Sequence, residues 1–369
     1  MELKNMITKI TRGTIIDRLI GVGSLARWLG PWADQSARPE VEVTTDTVCG
    51  VKVSRARGGD RGKWIVAPGL HFGGPEDPRM VRFISVLAAA GYEVVAPHIR
   101  DYQQMRVRRE PDGTVPSVEQ FCAVVEAESK DAPVFLFSIS FGSLLVLRAA
   151  TRYPERVSEV VTFGGFVDVE TTVLFTATGK VGEEQLGKHD PLNLPVLYLH
   201  LLDELGAHDP EALGENWRSY IRATWNRPEI RDGVTHLEIG RAMVDQVNEE
   251  DRELFLLGIG NSPEGRQKIV DVWPTVDFSY MDTRPYLHEL RAPLHIMHGA
   301  DDDVIPVTEA AILARCIPAQ TPVKSYITGM YTHTTSGLPS LENVVDEGLT
   351  MVRMLFALTP SRRSSTGVA

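Results

Sequence analysis

The chain has 369 residues, 43% hydrophobic and 24% charged, enough for one large domain with an insertion or for two domains. A net charge of -11 argues against a nucleic-acid partner, which would need clustered Lys and Arg to meet phosphates. Three cysteines, Cys49, Cys122 and Cys316, have no metal-ligand spacing and fit a reducing, cytoplasmic compartment.

No stretch is long and apolar enough to span a bilayer, and Asp17 and Arg18 break the one apolar run that could serve as a secretory leader. Residues 1–30 set Ile7, Ile10, Ile15, Leu19, Val22, Leu25 and Leu29 at helical spacing among Lys4, Lys9, Arg12, Arg18 and Arg27. Such a helix fits a membrane surface. The preferred reading is a helix packed on the protein's own body or on a second subunit, as in a homodimer.

A linker over 31–40 closes this N-terminal unit (1–40), and the first part of a core follows over 41–165. Val41 to Thr44 and Val48 to Ser54 alternate polar and apolar and read as a hairpin at a sheet edge. Trp64 to Ala67 reads as a buried strand ending in Pro68-Gly69-Leu70-His71-Phe72-Gly73-Gly74-Pro75. A helix over Glu76 to Ala90, a strand over Tyr92 to Ala96 and a helix over Ser117 to Ser129 follow. Arg106, Arg108 and Arg109 read as a solvated basic loop. Strand and helix then alternate through Val157 to Phe163, which means a mostly parallel sheet with helices on both faces.

Residues 166–287 break this rhythm with helical patches and little strand character, too long for a loop, and read as an inserted helical lid. Trp217, Trp225, Trp273, Phe255 and Phe175 make it aromatic. Holding the lid to the core is the preferred role for these rings, an apolar pocket the alternative. Over 288–358 alternation resumes, with strands over Leu294 to Met297 and Val323 to Ile327 and helices over Thr308 to Cys316 and Leu341 to Leu358. The Ser- and Arg-rich tail, 359–369, is expected to be disordered.

One stretch carries chemistry. Val134 to Phe137 is apolar and β-forming, Ser138-Ile139-Ser140-Phe141-Gly142-Ser143 follows, and helix formers begin at Leu144. This reads as strand, very tight turn and helix, with Ser140 at the apex. Such a turn strains its apex residue and demands small flanks, here Ser138 and Gly142. It sets the N–H of Phe141 at a helix N-terminus, where it can donate to a developing oxyanion. A serine that merely caps a buried helix is the other reading. A serine hydroxyl needs a base, and the base an orienting acid. Asp302 and His333 each follow a predicted strand and stand 31 residues apart, room for one helix, one strand and two loops. His295 and His298 point to opposite faces of one strand, so a shared metal is not expected. His298 reads as a brace of the acidic turn.

With Ser140, Asp302 and His333 in this order, the chain resembles the α/β-hydrolase family over all but its first forty residues and the lid. The family's acid motif, H-G-x-x-D before an apolar stretch and Pro, implies Asp302 rather than Asp301 or Asp303. Two positions depart from the pattern: Ser138 replaces the first Gly of G-x-S-x-G, and Pro68 stands where a His-Gly-x turn has His. The resemblance implies the N–H of Leu70 as the second oxyanion donor; another register uses His71 and Phe72, which are also pocket candidates. Asp77-Pro78-Arg79 resembles a stretch of bacterial members and is read as structural. The implied activity is a serine hydrolase acting on a small acyl substrate with an apolar part, an ester before an amide or thioester, with no metal and no organic cofactor. An acyltransferase using the same triad, and a binding protein of hydrolase ancestry, are the alternatives.

Overall fold

The computed structural model describes residues 2–30, 32–185, 190–230, 234–260, 262–330 and 344–361, with backbone alone for 2–14, 185, 228 and 344. Helix α1 (Glu2–Trp28) precedes a hairpin of β1 (Val43–Val48) and β2 (Val51–Arg57). The hairpin lies further along the chain than its alternation suggests, because its turn falls on Cys49 and Gly50, both at positive φ. Then β3 (Lys63–Ala67), α2 (Pro78–Ala89), β4 (Glu93–Pro97), the single turn α3 (Arg100–Gln103), α4 (Pro116–Glu128), β5 (Val134–Ile139), α5 (Gly142–Arg152) and β6 (Val157–Phe163) alternate.

Between β6 and β9 no described residue joins the main sheet. That segment holds α6 (Val169–Thr178), a ribbon of β7 (Lys180–Val181) and β8 (Glu184–Gln185), α7 (Leu194–His200), α8 (Pro210–Thr224), α9 (Thr235–Met243), α10 (Arg252–Ile259) and α11 (Pro263–Val272). β9 (Leu294–Gly299), α12 (Thr308–Cys316), β10 (Val323–Thr328) and α13 (Val344–Ala357) complete the chain.

The eight-stranded sheet runs β1-β2-β4-β3-β5-β6-β9-β10. Only the β1/β2 and β2/β4 pairings are antiparallel. Strands β3, β4 and β5 are almost wholly buried, as parallel strands covered on both faces must be. Alternation along them feeds two cores. Trp64, Phe135, Phe137 and Met297 face α1, α2 and α13. Ile65, Leu136, Val160 and Ile296 face α4, α5, α12 and the inserted segment. The chain leaves β3 toward β4 on one side and leaves β5 toward β6 on the other. A crevice therefore opens between the carboxyl ends of β3 and β5, the switch point where such sheets bind ligands.

The inserted segment shares the second core rather than building one apart. Trp217 and Phe255 are fully buried, and Trp273 and Phe175 nearly so. The basic loop also binds it: Arg106 pairs with Asp203 and Arg109 with Asp277, while Arg108 pairs with Asp101 beneath. The packing around Trp217 is tight enough that a Cβ on Gly258 would lie 2.5 Å from its indole nitrogen. Trp217→Ala is expected to cost about 3–5 kcal/mol, read as a lower urea midpoint in one transition; a separate early transition would contradict a shared core.

Candidate functional site

Ser140 directly follows β5 with φ 53°, in the left-handed region that residues other than Gly seldom enter. Two hydrogen bonds hold it there. Its N–H donates to the carbonyl of Phe163 at the end of β6 at 2.9 Å, and its own carbonyl accepts from Ser143 at 3.0 Å, opening α5. Around it the backbone is crowded. A Cβ on Gly142 would stand 2.7 Å from the Pro68 carbonyl oxygen and 2.8 Å from that of Ala67. A Cβ on Gly69 would lie 3.3 Å from the Ser140 Cβ. The β3 loop and the β5 turn thus meet backbone to backbone.

Ser138 fills the place where Gly is usual because its neighbours in register are small, Ala67 on β3 and Thr162 on β6. Its hydroxyl is buried and makes no hydrogen bond among the described residues. The serine is tolerated there sterically and contributes no polar contact.

The N–H groups of Leu70 and Phe141 make no hydrogen bond among the described residues, whereas that of His71 donates to the Tyr102 carbonyl at 3.1 Å. Phe141 caps α5 with helical dihedrals, so its N–H has no acceptor one turn back. Tyr102, which nothing in the sequence singled out, is fully buried and donates its hydroxyl to the Phe141 carbonyl at 2.8 Å. One residue therefore holds both the turn after β5, through its side chain, and the loop after β3, through its backbone carbonyl.

His71 lines the cavity beside Ser140, and Phe72 stacks on it at 4.3 Å rather than lining the cavity itself. Burial lowers the His71 pKa to about 4, with Arg79 adding to the effect, so the ring is neutral at neutral pH. Its Nδ1 accepts from the Gly73 N–H at 3.0 Å, and its Nε2 faces Arg79 Nη2 at 3.1 Å, Asn226 Nδ2 at 3.2 Å and Asp77 Oδ2 at 3.5 Å. Asp77 also caps α2 and pairs with Arg79, a structural role as expected.

Asp302 lies in the turn after β9 and is 6% exposed. Its Oδ1 accepts from the N–H groups of Val304 at 2.9 Å and Ile305 at 2.8 Å. His298, fully buried on β9, donates from Nε2 to the Ile305 carbonyl at 3.0 Å and lies 3.5 Å from Asp302 Oδ2. It braces the acidic turn. His295 turns away, to Tyr326 and Glu159. His333 lies outside the described residues. The strand before it, β10, runs parallel to β9 with Thr328 opposite Gly299, so β10 ends at the edge of the sheet that carries the Asp302 turn.

These elements surround a cavity of about 800 Å³ with a mainly apolar lining. Ser140, Leu70, His71 and Phe141 line it, with Val304 two residues past Asp302. The inserted segment contributes Thr172, Val196 and Trp225. Trp225 is thus the one of the five flagged aromatic residues on the cavity wall; its indole N–H donates to the Leu192 carbonyl at 2.9 Å. A smaller hollow of about 400 Å³ by Pro154, Arg291 and Gln320 is polar and sits at the amino ends of β6, β9 and β10.

Glu309, the other residue that sequence reasoning missed, is fully buried in the first turn of α12. Its Oε2 accepts from the N–H groups of Val167 at 2.8 Å and Asp168 at 2.9 Å, where the inserted segment begins. Its Oε1 has no hydrogen-bond partner among the described residues. Asp168 in turn pairs at 2.7 Å with Arg284, where the segment ends. Burial raises the Glu309 pKa to about 7, against the pull of those two amides.

Residues 70–186 match the family model for the alpha/beta hydrolase fold, a stretch that contains the Ser140 turn. No curated protein matches the chain. Among solved structures, a membrane phospholipase A is similar at 14% identity over 95% of this chain and 90% of its own, with a TM-score of 0.45. A meta-cleavage product hydrolase from Pseudomonas fluorescens is similar at 16% identity, over 85% of this chain and 96% of its own, TM-score 0.44. An acylaminoacyl peptidase from Pyrococcus horikoshii is similar at 10% identity, over 91% of this chain and 44% of its own, TM-score 0.45.

Two stability measurements probe this geometry. Ser138→Ala is expected to stabilise the fold by about 1 kcal/mol, because it removes a buried hydroxyl without a partner; a loss of that size in urea unfolding would mean the hydroxyl is bonded. Glu309 holds its proton more tightly folded than unfolded. Its contribution to stability is therefore full below about pH 4.5 and falls as pH rises toward about 7. Glu309→Gln should flatten that slope, a difference on the order of 3 kcal/mol at pH 8; parallel pH curves for variant and parent would rule it out.

Proposed function

We propose that the chain, whose residues 70–186 match the family model for the alpha/beta hydrolase fold, is a serine hydrolase acting on a carboxylic ester with an apolar acyl part. The observation that carries this reading is Ser140 held at positive φ on the tight turn after β5, opening into a mainly apolar cavity.

In this reading Ser140 Oγ attacks the ester carbonyl carbon while His333 takes its proton. Asp302 holds the imidazole in the tautomer that can accept it. The carbonyl oxygen becomes an oxyanion, and the amides of Leu70 and Phe141, which have no acceptor among the described residues, donate to it. Collapse expels the alcohol, which takes the proton from His333, and leaves an acyl-serine. Water activated by the same histidine then attacks, and the acid leaves. Asp302 is suited to its part because its Oδ1 is fixed by two amides, which sets the direction of the other oxygen. Of the two registers considered for the second donor, Leu70 is supported by the engagement of the His71 N–H with Tyr102.

The cavity volume and lining favour a medium or long acyl chain over acetate. The test is a chain-length series of p-nitrophenyl esters, with fluorophosphonate labelling of the serine. Ser140→Ala should lose label and lower kcat by about 10⁴-fold or more, and Asp302→Asn and His333→Ala should each lower kcat by about 10⁴-fold while still folding. An active or labelled Ser140→Ala protein would overturn the assignment, and a labelled enzyme that turns over no ester would overturn the substrate class.

A further inference from the structure

Helix α1 meets the body with one side only. Leu25 is fully buried, and Arg18 donates to the Phe356 carbonyl on α13 at 2.7 Å with its guanidinium 5.7 Å over the Phe356 ring. On other sides of the same turns Ile15, Ile16, Leu19 and Ile20 are 53%, 56%, 51% and 60% exposed. Their spacing gathers them into one stripe along the helix. α13 repeats the arrangement. Met351, Met354 and Leu355 are buried, while Val345, Leu349 and Val352, again on one stripe, are 74%, 49% and 44% exposed. The Arg18–Phe356 contact sets the two stripes side by side. Apolar surface spread over two adjoining helices is unlike the single exposed residues of ordinary surfaces and marks an interaction face.

Charge selects what it meets. α1 carries Lys4, Lys9, Arg12, Arg18 and Arg27 against Glu2 and Asp17, in a chain whose net charge is -11. A two-fold dimer through this face would set one cationic helix against its copy, with like charges opposed. An anionic lipid surface attracts the same cations and accepts the apolar side chains below its headgroups. The acidic remainder is repelled by that surface, which fixes the orientation. Among the described residues no helix is long and apolar enough to cross a membrane, so the contact is one of lying on the bilayer.

We propose that the exposed stripes of α1 and α13 form a docking face for an anionic lipid bilayer. Leu29, just past the end of α1, and Met351 and Met354 on the inner side of α13 reach the cavity that contains Ser140. Docking therefore holds that cavity next to the lipid.

The experiment sediments the full chain with vesicles of phosphatidylcholine alone or mixed in equal parts with phosphatidylglycerol, at low and high salt. The readout is binding, not turnover, so it does not depend on the hydrolase reading. The parent should bind the mixed vesicles and be released by salt. The double variant Ile16→Glu/Ile20→Glu, and Leu349→Glu on α13, should each bind about ten-fold more weakly, with unchanged near-ultraviolet circular dichroism. No binding of the parent to anionic vesicles, or equal binding by both variants, would refute the proposal. So would a dimer in light scattering that Ile16→Glu/Ile20→Glu dissociates, since a second copy would then cover the face.

Discussion

The backbone at Ser140 sets the terms for everything near it. A side chain at φ 53° costs roughly 1–2 kcal/mol, and the turn persists because its surroundings leave no other path. Its amide is held by the end of β6, and its flank at Gly142 lies against the carbonyls that end β3. Three neighbouring strands thus converge on one residue. The same convergence lifts the hydroxyl into the crevice at the switch point of the sheet. The strain and the placement of the hydroxyl have one origin.

Around this residue the polar contacts are arranged in tiers. Tyr102 anchors the turn and the loop after β3, His298 braces the Asp302 turn, and two further bonds tie that turn to the inserted segment. Thr176 donates to the Val304 carbonyl at 2.8 Å, and the Asp190 N–H donates to the Asp303 carbonyl at 3.0 Å. The cavity walls are therefore fixed to the acid turn from both sides. The sheet alone does not determine the shape of the pocket, which depends equally on the helices inserted after β6.

Much of this was legible in the sequence, for identifiable reasons. β5, the Ser140 turn and α5 could be read because an apolar run, small flanks and helix formers all agreed. α12 was read to the residue from its periodicity. α6 was not, because Val169 to Thr178 is rich in β-branched Val and Thr; the Asp168 cap and burial make it helical. α11 was missed although Ser262 and Pro263 carry a start signal, since Gly265 and its polar surroundings obscured the pattern. Tyr102 and Glu309 were invisible for another reason. Nothing local marks a tyrosine or a first-turn glutamate as buried, and their partners lie 39 and 142 residues away. The aromatic residues of the inserted segment divided by place: four fill the core, and Trp225 faces the cavity.

The cluster of Glu309, Asp168 and Arg284 fastens the inserted segment at its beginning and near its end, within a few ångströms of a single α12 side chain. Further ties hold the same segment away from that cluster: Arg106 to Asp203, Arg109 to Asp277, and the Thr176 and Asp190 bonds to the acid turn. Widening the crevice by moving this segment as a body therefore means breaking at least one of them.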